Sequence, residues 1–185
     1  KLMIIFKYIF FVLFLLNSHS LKAENRDNKL NELFNDLKIN NKDLAYSVEQ
    51  KIWDLWSTHP TNNKLTIKLL EGSNLVKKNQ LLKAVNIFTE VIKKDPSWAE
   101  AWNKRATVLY LLGDYKGSQK DIDKVLDLEE RHFGALAGQG LVNIKLENYE
   151  KAIKSYKRAQ EIYPAMQSPK IMINQIEQLI KQQLI

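Results

Sequence analysis

A fixed period of 34 residues runs through the centre of this chain and limits what it can fold into. Gly72, Ala106 and Gly140 stand 34 apart and are all small, and Ala84, Ser118 and Ala152 form a second small series in step with them. Phe88, Ile122 and Tyr156 make a large apolar series, and Pro96, Glu130 and Pro164 close the units. A period in this range marks a repeat architecture, in which each unit is one supersecondary element and neighbours bury each other's apolar faces. Such arrays present extended surfaces, so the pattern points to binding before it points to a reaction centre.

Within each period the apolar residues fall at helical spacing. The first unit, residues 65–98, predicts one helix through Leu69, Gly72, Leu75 and Val76, a turn at Lys77-Lys78-Asn79, and a second helix through Leu81, Ala84, Val85, Phe88, Val91 and Ile92. The second unit, residues 99–132, repeats this through Trp102, Ala106, Leu109 and Tyr110, the turn Gly113-Asp114, and then Tyr115, Ile122, Val125 and Leu126. The third, residues 133–166, does so through Leu136, Gly140, Leu141 and Ile144, then Tyr149, Ala152, Ile153, Tyr156 and Ala159. A final helix over 167–185, with Ser168 as its cap and Pro169 in its first turn, lines one side with Met172, Ile173, Ile176, Leu179, Ile180 and Leu184 and leaves the other polar. The open end of a stack needs such a cap.

Residues 24–64 predict a helical pair before the repeats. Leu30, Leu33, Phe34 and Leu37 form one stripe, with Asp27 or Asn28 as cap, and Asn40-Asn41 breaks it. Ala45, Val48, Ile52 and Leu55 form the next, with Trp53 and Trp56 beside it, and His59-Pro60 ends it. Two large aromatics beside the exposed start of a stack predict that the Ile52–Trp56 segment packs on or beside the first repeat as a cap; insertion into a groove, or a partner-facing hot spot, are the alternatives.

Residues 1–23 are expected to be an export signal. Lys1 and Lys7 precede or begin an unbroken apolar run, Tyr8 to Leu16, and a polar stretch ends on Ala23. Cleavage is expected after Ala23, with Ser20 second and an uncleaved membrane anchor as the alternative. The expected compartment is the periplasm. The chain has no cysteine, which excludes disulfides, thiol catalysis and cysteine-bound zinc. The formal charge of +7 includes Lys1, Lys7 and Lys22; without them, 25 bases face 21 acids, a net of +4. That is too mild to imply a nucleic-acid or membrane partner.

These residues resemble the tetratricopeptide repeat (TPR) family over residues 65–166. Unit three carries Leu136, Gly140, Tyr149, Ala152, Tyr156, Ala159 and Pro164 in the family's places; unit two carries Trp102, Ala106, Tyr115 and Val125; unit one carries Gly72, Ala84, Phe88 and Pro96. The departures are Lys68, Ser118 and Glu130. The expected fold is therefore all-α, a right-handed TPR-type solenoid of three helical hairpins with an N-terminal helical pair and a C-terminal capping helix. The layout also resembles a group of exported TPR proteins of proteobacteria, through Glu49-Gln50-Lys51-Ile52-Trp53-Asp54-Leu55-Trp56 and Arg131-His132-Phe133-Gly134-Ala135-Leu136-Ala137-Gly138. No activity comes with that resemblance.

The resemblance implies a concave face lined by first helices. Thr66, Leu69, Ser73, Val76 and Lys77 map to it from unit one, Glu100, Asn103, Thr107, Tyr110 and Leu111 from unit two, and Gly134, Ala137, Leu141, Ile144 and Lys145 from unit three. That groove is mostly apolar and suits the striped face of a helix or peptide. Relatives that clamp a C-terminal carboxylate need converging Lys, Asn and Arg; the matching places here hold Leu69, Ser73, Asn103, Gly134 and Gly138, of which only Asn103 fits.

Nothing in the chain assembles a catalytic constellation. His59 and His132 look isolated, Gly134, Gly138 and Gly140 follow no strand and lack a Lys-Ser/Thr, and the charges of Lys116–Arg131 read as a solvated helix face with Lys120 and Lys124 set against Asp123 and Asp127. No metal and no cofactor are expected. The expected function is a periplasmic interaction scaffold for another protein or peptide, with an oligomer-forming structural subunit or a membrane-tethered assembly factor as alternatives.

Overall fold

The computed structural model describes residues 24–39 and 42–183. The expected export segment, the expected Asn40-Asn41 break and Leu184 lie outside them. Among the described residues there are nine helices and no strand: α1 (24–37), α2 (Lys42–Ser57), α3 (Asn63–Lys77), α4 (Leu81–Lys94), α5 (Ala99–Leu111), α6 (Tyr115–Leu128), α7 (Phe133–Lys145), α8 (Tyr149–Ile162) and α9 (Gln167–Gln183). The hairpins α3–α4, α5–α6 and α7–α8 stack in chain order, and α9 packs on α8. Each first helix also touches the next, α3 with α5, α5 with α7 and α7 with α9, so these four form one continuous inner face. This is an all-α TPR-type solenoid.

The small and large series explain one another. A Cβ added at Gly72 would lie 2.4 Å from the Phe88 ring, and one at Gly140 would lie 2.5 Å from Tyr156. The glycine gives up a side chain so that the ring of the paired helix can lie on its backbone. In unit two Ala106 faces the slimmer Ile122, and both are buried. Burial of these rings, at about 25 cal/mol per Å² of apolar surface, is the main force holding each hairpin closed.

The turns keep the same period. Asn79, Gly113 and Glu147, 34 apart, carry positive φ values of 55°, 81° and 59°. After each, an amide reaches back across the helix end: Gln80 N to Leu75 O, Asp114 N to Leu109 O and Asn148 N to Asn143 O, at 2.8–2.9 Å. This left-handed closure satisfies carbonyls that would otherwise lack donors. The second helices also stop alike. Asp95 (φ −141°, ψ 93°) and Glu129 (φ −146°, ψ 94°) are extended residues that donate to Val91 O and Val125 O. Proline follows Asp95 but Glu130 follows Glu129, so the extended cap ends the helix with or without the ring.

The N-terminal pair sits elsewhere than on the outer end of unit one, correcting the expected cap. Leu30, Leu33, Phe34 and Leu37 of α1 share a core with Ala45, Val48, Ile52 and Trp56 of α2, and that core closes on Phe133 and Tyr163. The pair runs along the edge of the stack where second helices hand over to first helices. Trp98 Nε1 donates to Trp56 O at 2.8 Å, Arg131 Nη1 to Asn31 Oδ1 at 2.7 Å, and Tyr163 Oη to Glu49 Oε2 at 3.0 Å. All three inter-unit loops are thereby tied to one arm. The reason is that each loop offers an aromatic on that edge, whereas the outer face of α3–α4 offers none. Two capping expectations also shift: Asp27 and Asn28 lie inside α1, and α9 already begins at Gln167, ahead of Ser168.

Candidate binding groove

The inner face divides into a covered end and an open end. At the covered end, the first turns of α5 and α7 meet the arm. Trp53 lies edge-on to His132, Phe133 and Trp56 at centroid distances of 5.3–5.5 Å, and Lys104 Nζ stands 5.8 Å over its ring. A Cβ at Gly134 would lie 2.5 Å from Trp53 Cη2. Trp56 stacks on His132. Trp56 is thus buried and Trp53 half-buried inside the chain, against units two and three and not against the exposed start of unit one.

Beneath them lies a buried polar cluster. Glu100 is 1% exposed and His132 is fully buried. Glu100 Oε2 accepts from Asn103 Nδ2 at 2.9 Å and faces His132 Nε2 at 3.1 Å, while Lys104 Nζ sits 2.9 Å from Oε1. His132 Nδ1 accepts the Ala135 amide at 3.0 Å, so the ring proton is on Nε2 and donates to Glu100. Burial pushes the Glu100 carboxyl up, but the His132 hydrogen bond and the Lys104 charge outweigh it and hold the group below its ordinary value. His59 repeats the design: its Nδ1 accepts the Asn62 amide at 2.9 Å and its Nε2 meets Asp95 Oδ2 at 2.8 Å. Neither histidine is isolated, as the sequence suggested. His132 caps the start of α7, His59 accepts the loop amides of Thr61 and Asn62 just ahead of α3, and each is locked by an acid distant in sequence, which spacing within one helix does not reveal. Among the described residues no group of three or more acidic or histidine side chains is placed to hold a metal ion.

The open end is a cleft of about 80 Å³ between α5 and α7. Thr107, Tyr110, Gly138 and Leu141 line it over a floor of Ala106 and Ile122. Tyr110 leans on Tyr115, with centroids 5.4 Å apart. Leu111 is 54% exposed and Leu141 38% exposed beside it. Lys77 and Lys145 are exposed at the last turns of α3 and α7, where a polar rim belongs.

The remaining mapped positions face other ways. Leu69 is buried in the core of unit one, with Val76 half-buried against it, and Ser73 Oγ donates to Leu69 O. Glu100 is inside the cluster just described, and Asn103 is mostly buried with its amide committed to Glu100. Thr66 Oγ1 accepts the His59 amide. Ala137 and Ile144 pack toward α8 and α9. With Leu69 buried and Asn103 turned inward, the places where relatives clamp a carboxylate offer no converging donors. Sequence reasoning missed Leu70, 53% exposed on α3. It stands 34 residues before Lys104 and 68 before Gly138, so the period itself was the signal.

The reading of Lys116–Arg131 as a solvated face holds for Lys116, Lys120, Asp123 and Asp127, all exposed, and is corrected at Asp121 and in its lysine pairing. Asp121 is buried and takes both Arg105 Nε at 2.7 Å and Arg105 Nη2 at 2.8 Å, with the guanidinium 5.0 Å over Trp102. Asp123 accepts from Gln119 and Gln139 instead of pairing with lysine. No described helix is long and apolar enough to cross a membrane.

A tetratricopeptide repeat family model matches residues 69–118 and 103–166. A TPR repeat-containing protein of Rhizobium etli is 32% identical over 151 residues, spanning 80% of this chain and 72% of that protein. Hsp70-Hsp90 organizing protein 1 of Glycine max is 29% identical over 87 residues, 47% of this chain but only 15% of that protein. Among solved structures, the first TPR of Spaghetti bound to an HSP90 peptide superimposes with a TM-score of 0.62 at 20% identity, covering 64% of this chain and 94% of that one. At this identity the likeness shows the fold alone.

Proposed function

The chain belongs to the tetratricopeptide repeat family, and on that premise we propose that it is a non-catalytic scaffold that seats an apolar peptide or helix of another protein in the open end of its groove. The observation that carries this is the α5–α7 cleft. It has room for about one aliphatic side chain, Leu141 lines it, and Leu70 and Leu111 are exposed on the two preceding first helices. An amphipathic helix presents apolar residues at i, i+3, i+4 and i+7, which matches one anchor in a pocket and neighbours across adjoining helices. Asn103 already donates to the Glu100 carboxylate and no Lys or Arg lines the cleft, so a peptide of acidic C-terminal type, such as the HSP90 peptide held by the Spaghetti domain, is a poor fit.

The place of action we propose is the periplasm. Supporting that reading are the basic, apolar and polar succession of residues 1–23 and the lack of cysteine. N-terminal sequencing of the secreted protein tests it: a mature start at Glu24 or Leu21 agrees, and an intact segment in the membrane fraction makes the protein a tethered factor instead. A self-association reading draws on Ile171 and Leu179, both exposed on α9. Light scattering over a concentration series separates it from a monomeric scaffold.

The groove is tested by selecting helical peptides on the wild-type protein and remeasuring them on Tyr110→Glu. Binding to the wild type that is lost in the variant supports the site. Equal binding to both forms counts against it.

A further inference from the structure

The outer side of the stack holds a second, chemically opposite cleft. Its volume is about 550 Å³, it lies among α6, α7 and α8, and it shares no lining residue with the groove. Its origin is visible in the repeat. At the boundary of units one and two, Arg105 joins Asp121 of its own unit and Thr89 of the preceding one. The same three places, 34 residues later, hold Gln139, Ser155 and Asp123, and the same links form: Ser155 Oγ to Gln139 Oε1 at 2.9 Å and Gln139 Nε2 to Asp123 Oδ1 at 3.3 Å. Where the first boundary is filled by a guanidinium and a carboxylate, the second carries shorter neutral groups, and space remains.

The floor of that space is hydrogen-bonding and preset. Asn143 Nδ2 donates to Gln119 Oε1, and Gln119 Nε2 to Asp123 Oδ1. Asn143 and Ser155 are both buried, so the network is held in place by packing. Each glutamine amide spends one N–H in these bonds and keeps the other, and the Asn143 carbonyl stays open as an acceptor. The rim is cationic. Lys151, Lys154 and Arg158, at i, i+3 and i+7 of α8, line the cleft and make no ion pair in the described structure.

We propose that this cleft binds an acidic carbohydrate. The argument is the separation of charge. Asp123, exposed on the α6 side of the cleft and on a different helix from the α8 cations, repels a ligand that is anionic throughout and suits hydroxyl donors, as do the amides beside it. The three cations at the rim suit one carboxylate or phosphate. A ligand with hydroxyls at one end and an anion at the other satisfies both, and the volume is that of an ordinary small-molecule site.

The test is an amide-detected NMR titration of the whole chain with four probes: glucuronate, glucose 6-phosphate, glucose and inorganic phosphate. Either acidic sugar should shift the side-chain amides of Gln119, Gln139 and Asn143, and the two arms identify the preferred anion. Lys154→Glu should weaken that binding about tenfold, the scale of one lost charge-assisted hydrogen bond. Gln139→Arg with Ser155→Asp rebuilds the Arg105–Asp121 pair in the cleft and should abolish binding with the thermal midpoint preserved. If that double variant does not fold, Lys151→Glu with Lys154→Glu, both on exposed positions, carries the test. The proposal is overturned if neither acidic sugar shifts these amides, if inorganic phosphate or glucose binds as well as they do, or if the filled or charge-reversed variants bind unchanged.

Discussion

Trp56 and His132 lie ring over ring, with centroids 3.9 Å apart and planes 8° from parallel. One belongs to the arm and the other starts α7, so this stack is where the N-terminal pair is bolted to the repeats. It rests on a histidine whose orientation is set by Glu100 and by the Ala135 amide. A buried polar cluster therefore positions an aromatic contact, and the contact closes one end of the groove.

Gly134→Ala should loosen the arm. The new Cβ meets the Trp53 ring, and overpacking of this kind costs roughly 1–3 kcal/mol. Urea unfolding should show that loss, and tryptophan emission should move to longer wavelength in the folded state. An unchanged spectrum with unchanged stability would mean that Trp53 is not seated on α7.

Glu100→Gln should cost about 3 kcal/mol at neutral pH, because it strips a buried carboxylate from His132 and Lys104. The Glu100 carboxyl is more acidic folded than unfolded. Its contribution is thus fully present above its ordinary value of 4.5 and is lost as pH falls through the lower folded value. Urea midpoints across pH 7 to 3 should fall more steeply for the wild type than for Glu100→Gln. Parallel profiles would contradict the assignment.

How much of this was legible in the sequence depends on distance along the chain. The 34-residue series marked Gly72 and Gly140 as small and Phe88 and Tyr156 as large, but only the structure shows that each ring lies on the glycine of its own unit. Tyr110, Thr107 and Leu141, which line the α5–α7 cleft, were mapped to the inner face through the same phase. What the phase could not give is which copy of a position is covered. Leu69, Asn103 and Ala137 are equivalent by period, yet one is in a core, one is bonded to Glu100 and one packs toward α9. The pairing of His132 with Glu100 and of His59 with Asp95 links elements far apart, and a spacing argument within one helix is blind to it. The arm's seat went astray for the same reason: its aromatic partners Trp98, Phe133 and Tyr163 come from three different inter-unit junctions.

Tyr156→Phe should stabilise the protein by about 1 kcal/mol. The phenol oxygen is buried and has no hydrogen-bond partner among the described residues, so its removal relieves desolvation and keeps the ring on Gly140. Thermal and urea midpoints should both rise; a fall of similar size would reveal a bond to that oxygen.

Glu147→Gly should also stabilise, again by about 1 kcal/mol. Glu147 occupies the left-handed position that Gly113 fills in unit two, and a side chain is strained there. The gain is read as a shift in the urea midpoint at constant slope, and no gain would mean that Glu147 makes a compensating contact.

The most direct test of the groove is site-specific photo-crosslinking. A photoreactive residue at Tyr110 or Leu141 should trap one discrete partner segment in cell extract, with no such adduct from the outer-face position Lys157, and the trapped segment should carry apolar residues at helical spacing. Adducts from Lys157 in equal yield, or a trapped segment that is polar throughout, would contradict binding through the inner face.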